Sequence, residues 1–308
     1  MNSTSAAMPE SSQGSQLSAP KIITEAQRFY WSLQRELWEN RSLYIAPLVV
    51  AALVLLGSLI SAIRLPATMR AVAALSPMQK ANALQEPYYF AALLLMGTTF
   101  VVAIFYCLDA LYGERRDRSI LFWKSLPVSD FTIVVSKASI PIVVLPLLTF
   151  AITVVTQWIM LLVSSAVLAG SAGSVATLWS QVSPVRMSLG ELFHLVAMHG
   201  FWYAPIYCWL LLVSAWAKRV PILWAALPLV AIGVVEKIAF NSATFLSMVG
   251  QRIASPDDGS ATGSMAMDHF SRTTLVQFLS SPGLWIGLAL AAAFLAAAMR
   301  IRHYREPI

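Results

Sequence analysis

Glu191, His194 and His199 come closest, by type and spacing, to a chemical site in this chain. Glu191 and His194 are three apart and share a face of any helix that carries them. This ExxH spacing ligates metal in helical bundles when a second copy arrives from another helix. The chain has no second copy, so only a homodimer would complete such a site. Cys107 and Cys208 both lie in apolar runs and neither sits in a CxxC, which points to small buried residues rather than to a disulfide or a zinc site. No Gly-Lys dipeptide occurs, so there is no Walker A loop to hold nucleotide phosphates, and neither HExxH nor GxSxG is present. Gly170-Ser-Ala-Gly173 has the wrong order for a nucleophile elbow. No residue is therefore assigned a catalytic or metal-binding role, and no cofactor is expected in this chain.

A second constellation is built for contact rather than for covalent chemistry. Residues 112–130 read Tyr-Gly-Glu-Arg-Arg-Asp-Arg-Ser-Ile-Leu-Phe-Trp-Lys-Ser-Leu-Pro-Val-Ser-Asp. Glu114, Arg115, Arg116 and Arg118 form a charged run, and Ile120, Leu121, Phe122 and Trp123 form an apolar patch behind it. Pro127 ends the helix this implies, and Ser129 or Asp130 can cap the next one. The plainer reading is an interfacial loop held by basic residues and a Trp anchor.

The elements that must position these residues are membrane helices. Of 308 residues, 58% are hydrophobic and only 12% charged, about half the charged share of a soluble domain. Six runs reach the length needed to cross a bilayer: 43–63, 88–111, a long 131–168 with Pro141 and Pro146 near its start, 192–216, a short 222–235 and 284–299. The expected fold is an all-α polytopic membrane protein of six transmembrane helices, occupying 21–308. Residues 1–20 hold no basic residue and no apolar run, and read as a disordered tail rather than a signal peptide. Residues 22–40 carry an apolar helical stripe of Ile22, Ala26, Phe29, Tyr30, Leu33 and Leu37. With Arg28, Arg35, Glu36 and Glu39 mostly off it, this predicts an amphipathic helix lying in the membrane interface. Helical structure around 67–85, interrupted at Pro77, is expected in the first outer loop. In the outer loop 241–281, a piece at 245–253 is expected to dip back towards the membrane.

With the N-terminus inside, 14 Lys and Arg residues fall on the inner side and 7 on the outer. The positive-inside rule then puts both termini in the cytoplasm. The basic residues sit at the ends of apolar runs instead of forming one stripe, which argues against nucleic acid. In this frame Glu191, His194 and His199 occupy the outer half of the fourth span, where they would line a wet outer vestibule. Asp109, near the inner end of the second span, could reach water or Arg115. The spans show neither charges near the midplane nor helices broken at matching places, so an energy source outside the chain is expected.

The run 112–130, followed by Ser136-Lys137 at the start of the third span, resembles bacterial permease subunits of the type-2 ABC exporter superfamily. The Glu-Arg and Lys-Ser-Leu-Pro-Val-Ser pattern carries the likeness. The six spans, flat N-terminal helix, long third helix and larger outer loop are similar as well. The resemblance implies that 112–130 is a coupling helix, with Ile120–Trp123 packing into a cleft of a separate ATPase and Glu114, Arg115, Arg116 and Arg118 orienting it. It implies two copies of an ATP-binding subunit that hold ATP and Mg, a second permease subunit, a lipid environment and the bacterial inner membrane. A sensory or scaffold subunit without transport, or an ion-coupled carrier, are the alternatives.

Overall fold

The computed structural model describes residues 24–118, 129–170, 175–254, 276 and 278–304. The tail 1–20, the apolar patch Ile120, Leu121, Phe122 and Trp123, most of the small-residue run 170–173 and the polar stretch 255–260 lie outside the described residues. Every described element is a helix. In chain order they are α1 (Glu25–Glu39), α2 (Ser42–Ala62), α3 (Leu65–Val72), α4 (Pro77–Ala110), α5 (Tyr112–Arg116) and α6 (Asp130–Ser139). A first π segment (Ile140–Val144) leads into α7 (Leu145–Ala169). There follow α8 (Val175–Gln181), α9 (Pro184–His194), a second π segment (Leu195–Trp202), α10 (Ala204–Trp216), α11 (Pro221–Phe240), α12 (Thr244–Ala254) and α13 (Pro282–Tyr304).

Local chemistry explains most of the boundaries. Thr24 with Gln27 and Ser76 with Gln79 form reciprocal capping boxes at the starts of α1 and α4. Proline occupies the first position of α4, α9, α11 and α13, where its missing N–H would be unpaired in any case. Pro77 therefore starts the second long helix; it does not interrupt a loop helix, as expected from sequence. The short helix before it is Leu65–Val72.

Five described stretches are long and apolar enough to cross a membrane: Ser42–Ala62, Pro77–Arg116, Asp130–Ala169, Pro221–Phe240 and Pro282–Tyr304. A sixth exists if Val175–Trp202 and Ala204–Trp216, bent by 44° at their junction, count as one. The fifth sequence run, short at 222–235, extends to 20 residues in α11.

The spans are less regular than their hydropathy suggests. The third contains a π segment that opens at Ile140-Pro141, just before Pro146; both prolines remove helix N–H donors. The fourth contains the second π segment and bends where Pro205 opens α10. The two π segments pack on each other, with Gly200 so close to the Ile142 carbonyl that a Cβ there would sit at 3.3 Å. Two adjacent spans thus each carry a π segment, a departure that run length and hydropathy do not show.

Packing relies on close approach. Along α10 and α13, Ala204, Cys208, Ala215, Ala291 and Ala298 are buried at the contact, as expected where lipid offers no hydrophobic driving force between helices. Tyr106, Cys107, Ile140, Leu145, Tyr207 and Leu211 form the main core cluster, against which Leu33 and Leu37 of α1 rest. A second cluster of Leu84, Tyr88, Met160, Leu168 and Met187 packs near the other end of α4.

Candidate functional site

The described chain stops at Arg118, just after α5, and resumes at Ser129, the cap of α6. At the exit, the N–H groups of Leu111 and Tyr112 both donate to Ser214 Oγ, at 3.0 and 2.8 Å. Arg115 Nη1 donates to the carbonyls of Ala215 and Ala217, at 2.8 and 3.1 Å. These carbonyls lie at the end of α10, where they lack intrahelical donors and attract a cation. Arg118 then takes a left-handed backbone, φ 58°, which turns the chain out of the helix at a steric cost. At the return, Ser129 Oγ accepts from the Thr132 N–H at 3.1 Å. Ser129 is thus the cap, and Asp130 is free for another role.

That role belongs to a buried ion-pair network. Lys137 Nζ of α6 lies 2.7 Å from Glu36 of α1 and 3.2 Å from Glu114 of α5. Arg302 of α13 pairs with Glu114 through Nη1 and with Asp130 through Nε, the latter at 3.1 Å. Tyr106 of α4 donates to the second oxygen of Glu36 at 2.8 Å, and His303 Nδ1 lies 3.3 Å from Asp130. Glu36, Glu114, Lys137 and Arg302 are each at most 7% exposed. Three carboxylates thus meet two permanent cations, with His303 beside the most exposed of the acids.

Buried charges of this kind add little net stability over apolar replacements, but losing one partner is costly. The arrangement therefore makes a register device. One arginine, Arg302, joins Glu114 at the end of one described stretch to Asp130 at the start of the next. One lysine, Lys137, ties the start of the third span to the N-terminal helix.

The structure divides the sequence-derived residues. Glu114 and Arg115 are buried and engaged within the chain, whereas Arg116 and Arg118 are exposed. Glu114 and Arg115 thus anchor the start of the segment, and among its described residues Arg116, Asp117 and Arg118 present charge at its surface. Asp109 is exposed and meets an arginine, Arg116, at 3.9 Å. Glu191 and His199 are 0% and 4% exposed and His194 is partly exposed, so Glu191 and His199 sit in the interior of this chain and do not line an open vestibule. Among the described residues no cluster of three His, Cys, Asp or Glu could hold a metal.

Sequence reasoning missed Arg302 and the depth of Glu36. The charge of Glu36 argues for the polar face, although its position three after Leu33 places it beside the apolar stripe. Neither a family model, nor a curated protein, nor a solved structure matches the chain.

Proposed function

We propose that the chain is the membrane-spanning subunit of an ATP-driven ABC exporter, powered by a separate ATPase and moving a hydrophobic, lipid-like or peptide substrate. It crosses the bacterial inner membrane six times with both termini in the cytoplasm, and α1 lies in the inner interface. Two copies of the ATPase, carrying ATP and Mg, engage 112–130, and a second permease subunit completes the path. The observation that carries this reading is the pairing of Arg302 with both Glu114, before 119–128, and Asp130, after it. A segment meant to receive force from outside needs rigid junctions to the helices it moves, and both of its ends are held by buried charge. ATP-driven closure of the ATPase pair would push the segment, and Lys137 and Arg302 would pass the motion to α1, α6 and α13.

The test is a paired substitution in the apolar patch, Phe122→Asp with Trp123→Asp. The expected result is a folded, membrane-inserted protein from which no ATPase copurifies and whose transport is lost. Normal recovery of the ATPase with that variant would overturn the reading. A carrier reading gains from the buried Glu191 and the two abutting π segments; transport in proteoliposomes driven by an ion gradient alone would establish it instead.

A further inference from the structure

Thr149, Thr153 and Gln157 recur every four residues of α7 and so share one face over about 12 Å of helix. All three are buried, at 0%, 0% and 5% exposure. Thr149 Oγ1 shares a 2.5 Å hydrogen bond with Thr99 Oγ1 of α4. Gln157 Nε2 donates to Glu191 of α9 and, at 3.4 Å, to the carbonyl of Tyr88 in α4. A polar seam therefore runs inside one copy of the chain, among α4, α7 and α9.

Two oxygens of this seam have no partner among the described residues, Glu191 Oε2 and Thr153 Oγ1. Thr153 departs from its neighbours. Thr99, Thr156 and Ser165 each donate to the carbonyl four residues back in their own helix, but Thr153 does not. Glu191 has one hydrogen-bonded oxygen, no exposed surface and no ion pair among the described residues. A carboxylate in that state is strongly disfavoured until a positive charge reaches it, and an ionisable group at such depth in a membrane helix marks a site by default. The available donors are carboxylate, hydroxyl, amide and carbonyl oxygens, which suit a hard cation. One carboxylate balances one charge. The second π segment begins four residues after Glu191, and π segments recur at functional sites.

We propose that Glu191 Oε2 and Thr153 Oγ1 centre an interior binding site for one small monovalent cation, either an alkali ion or a proton. The site stands apart from the ATPase reading and holds whatever drives transport. Titratable groups on the elements packed here are Glu86, Tyr88 and Tyr89 at this level of α4, Arg186 and His194 of α9 and the buried His199 of the second π segment, while α7 carries none.

The test uses the full chain in lipid nanodiscs. Thermal unfolding is followed in sodium, potassium and N-methylglucamine chlorides at equal pH and ionic strength. An alkali site raises the Tm of the wild type in one alkali salt. That response disappears in Glu191→Gln, and its half-saturation moves up about tenfold in Thr153→Val, the expected size for losing one polar ligand. If the source is a proton, alkali ions have no effect, and infrared difference spectra between acidic and alkaline buffer show a protonated-carboxyl band that Glu191→Gln removes. Should Glu191→Gln fail to fold, the salt response of the wild type and its change in Thr153→Val decide the alkali arm. The infrared band of the wild type, with its shift in Thr153→Val, decides the proton arm. No salt response together with no Glu191-dependent carboxyl band overturns the proposal.

Discussion

Lys137 stands between two acids that would otherwise face each other in the interior, Glu36 at 2.7 Å and Glu114 at 3.2 Å. Lys137→Met keeps the length of the side chain and deletes its charge. It should lower stability by about 3–5 kcal/mol, the cost of leaving buried charge without its partner, measured by denaturant unfolding in detergent. Adding Glu36→Gln should recover part of that loss, because the second change removes one stranded charge. The non-additivity expected for contacting residues is about 0.5–3 kcal/mol; strictly additive losses would mean that Glu36 and Lys137 act separately. The pairing was not legible in the sequence. Its partners are 101 positions apart, and Glu36 looks like any solvent-facing acid on a short helix. Glu114, by contrast, stands in a charged run that is visible locally, although its buried partners Lys137 and Arg302 are not.

At the scale of elements, the cap before α6 was legible, whereas Pro77, expected as an interruption, opens α4, and the π segments were not legible. Ser129 before α6 and the prolines that open α4, α9, α11 and α13 follow rules that depend on neighbouring residues alone. The π segments depend on how two spans meet, and the close approach of Gly200 to Ile142 belongs to neither span alone. The sequence piece at 245–253 is helical, as α12 (Thr244–Ala254), and its docking is specific. Glu236 of α11 accepts from the N–H groups of Thr244 and Phe245, both at 2.9 Å, at the first turn of α12. Arg252 lies 3.9 Å over the Trp202 ring, donates to the Gly283 carbonyl at 2.9 Å and fills the space beside Gly287. Trp202 Nε1 in return donates to the Arg252 carbonyl at 3.0 Å. Any side chain at position 287 competes with the guanidinium for that space. Gly287→Leu should therefore release α12 from the bend between the second π segment and α10. The check is hydrogen exchange, expected to accelerate at 244–254 while α4 and α7 stay protected; unchanged exchange there would show that Arg252 does not hold the helix.

At the scale of the whole molecule, the bonds at one end of the bundle fix how many times the chain traverses it. Glu36 lies just before α2, and Glu114 just after α4, so the chain leaves that end and returns to it. Lys137 starts the next departure, and Arg115 meets the end of α10 at Ala215 and Ala217. After α11 departs, α13 comes back to bring Arg302 to Glu114 and Asp130. Each return closes a pair of traverses, an even number that the five apolar stretches meet when the bent pair α9–α10 counts as a sixth. Hydropathy gave the same number with far less constraint, because it weighs runs separately, whereas ion pairs between distant helices join their ends. Single cysteines test both the count and the sidedness, since Cys107 and Cys208 are buried and give little background. Arg118→Cys and Tyr304→Cys should react with a membrane-impermeant maleimide only in inside-out vesicles, and Met78→Cys and Ser180→Cys only in intact cells whose outer membrane has been permeabilised. Reaction of Tyr304→Cys from the outer side while Arg118→Cys stays inner would break the six-crossing arrangement, and with it the contact of Arg302 with Glu114; reversal of all four would keep the count and invert the orientation set by the positive-inside charges.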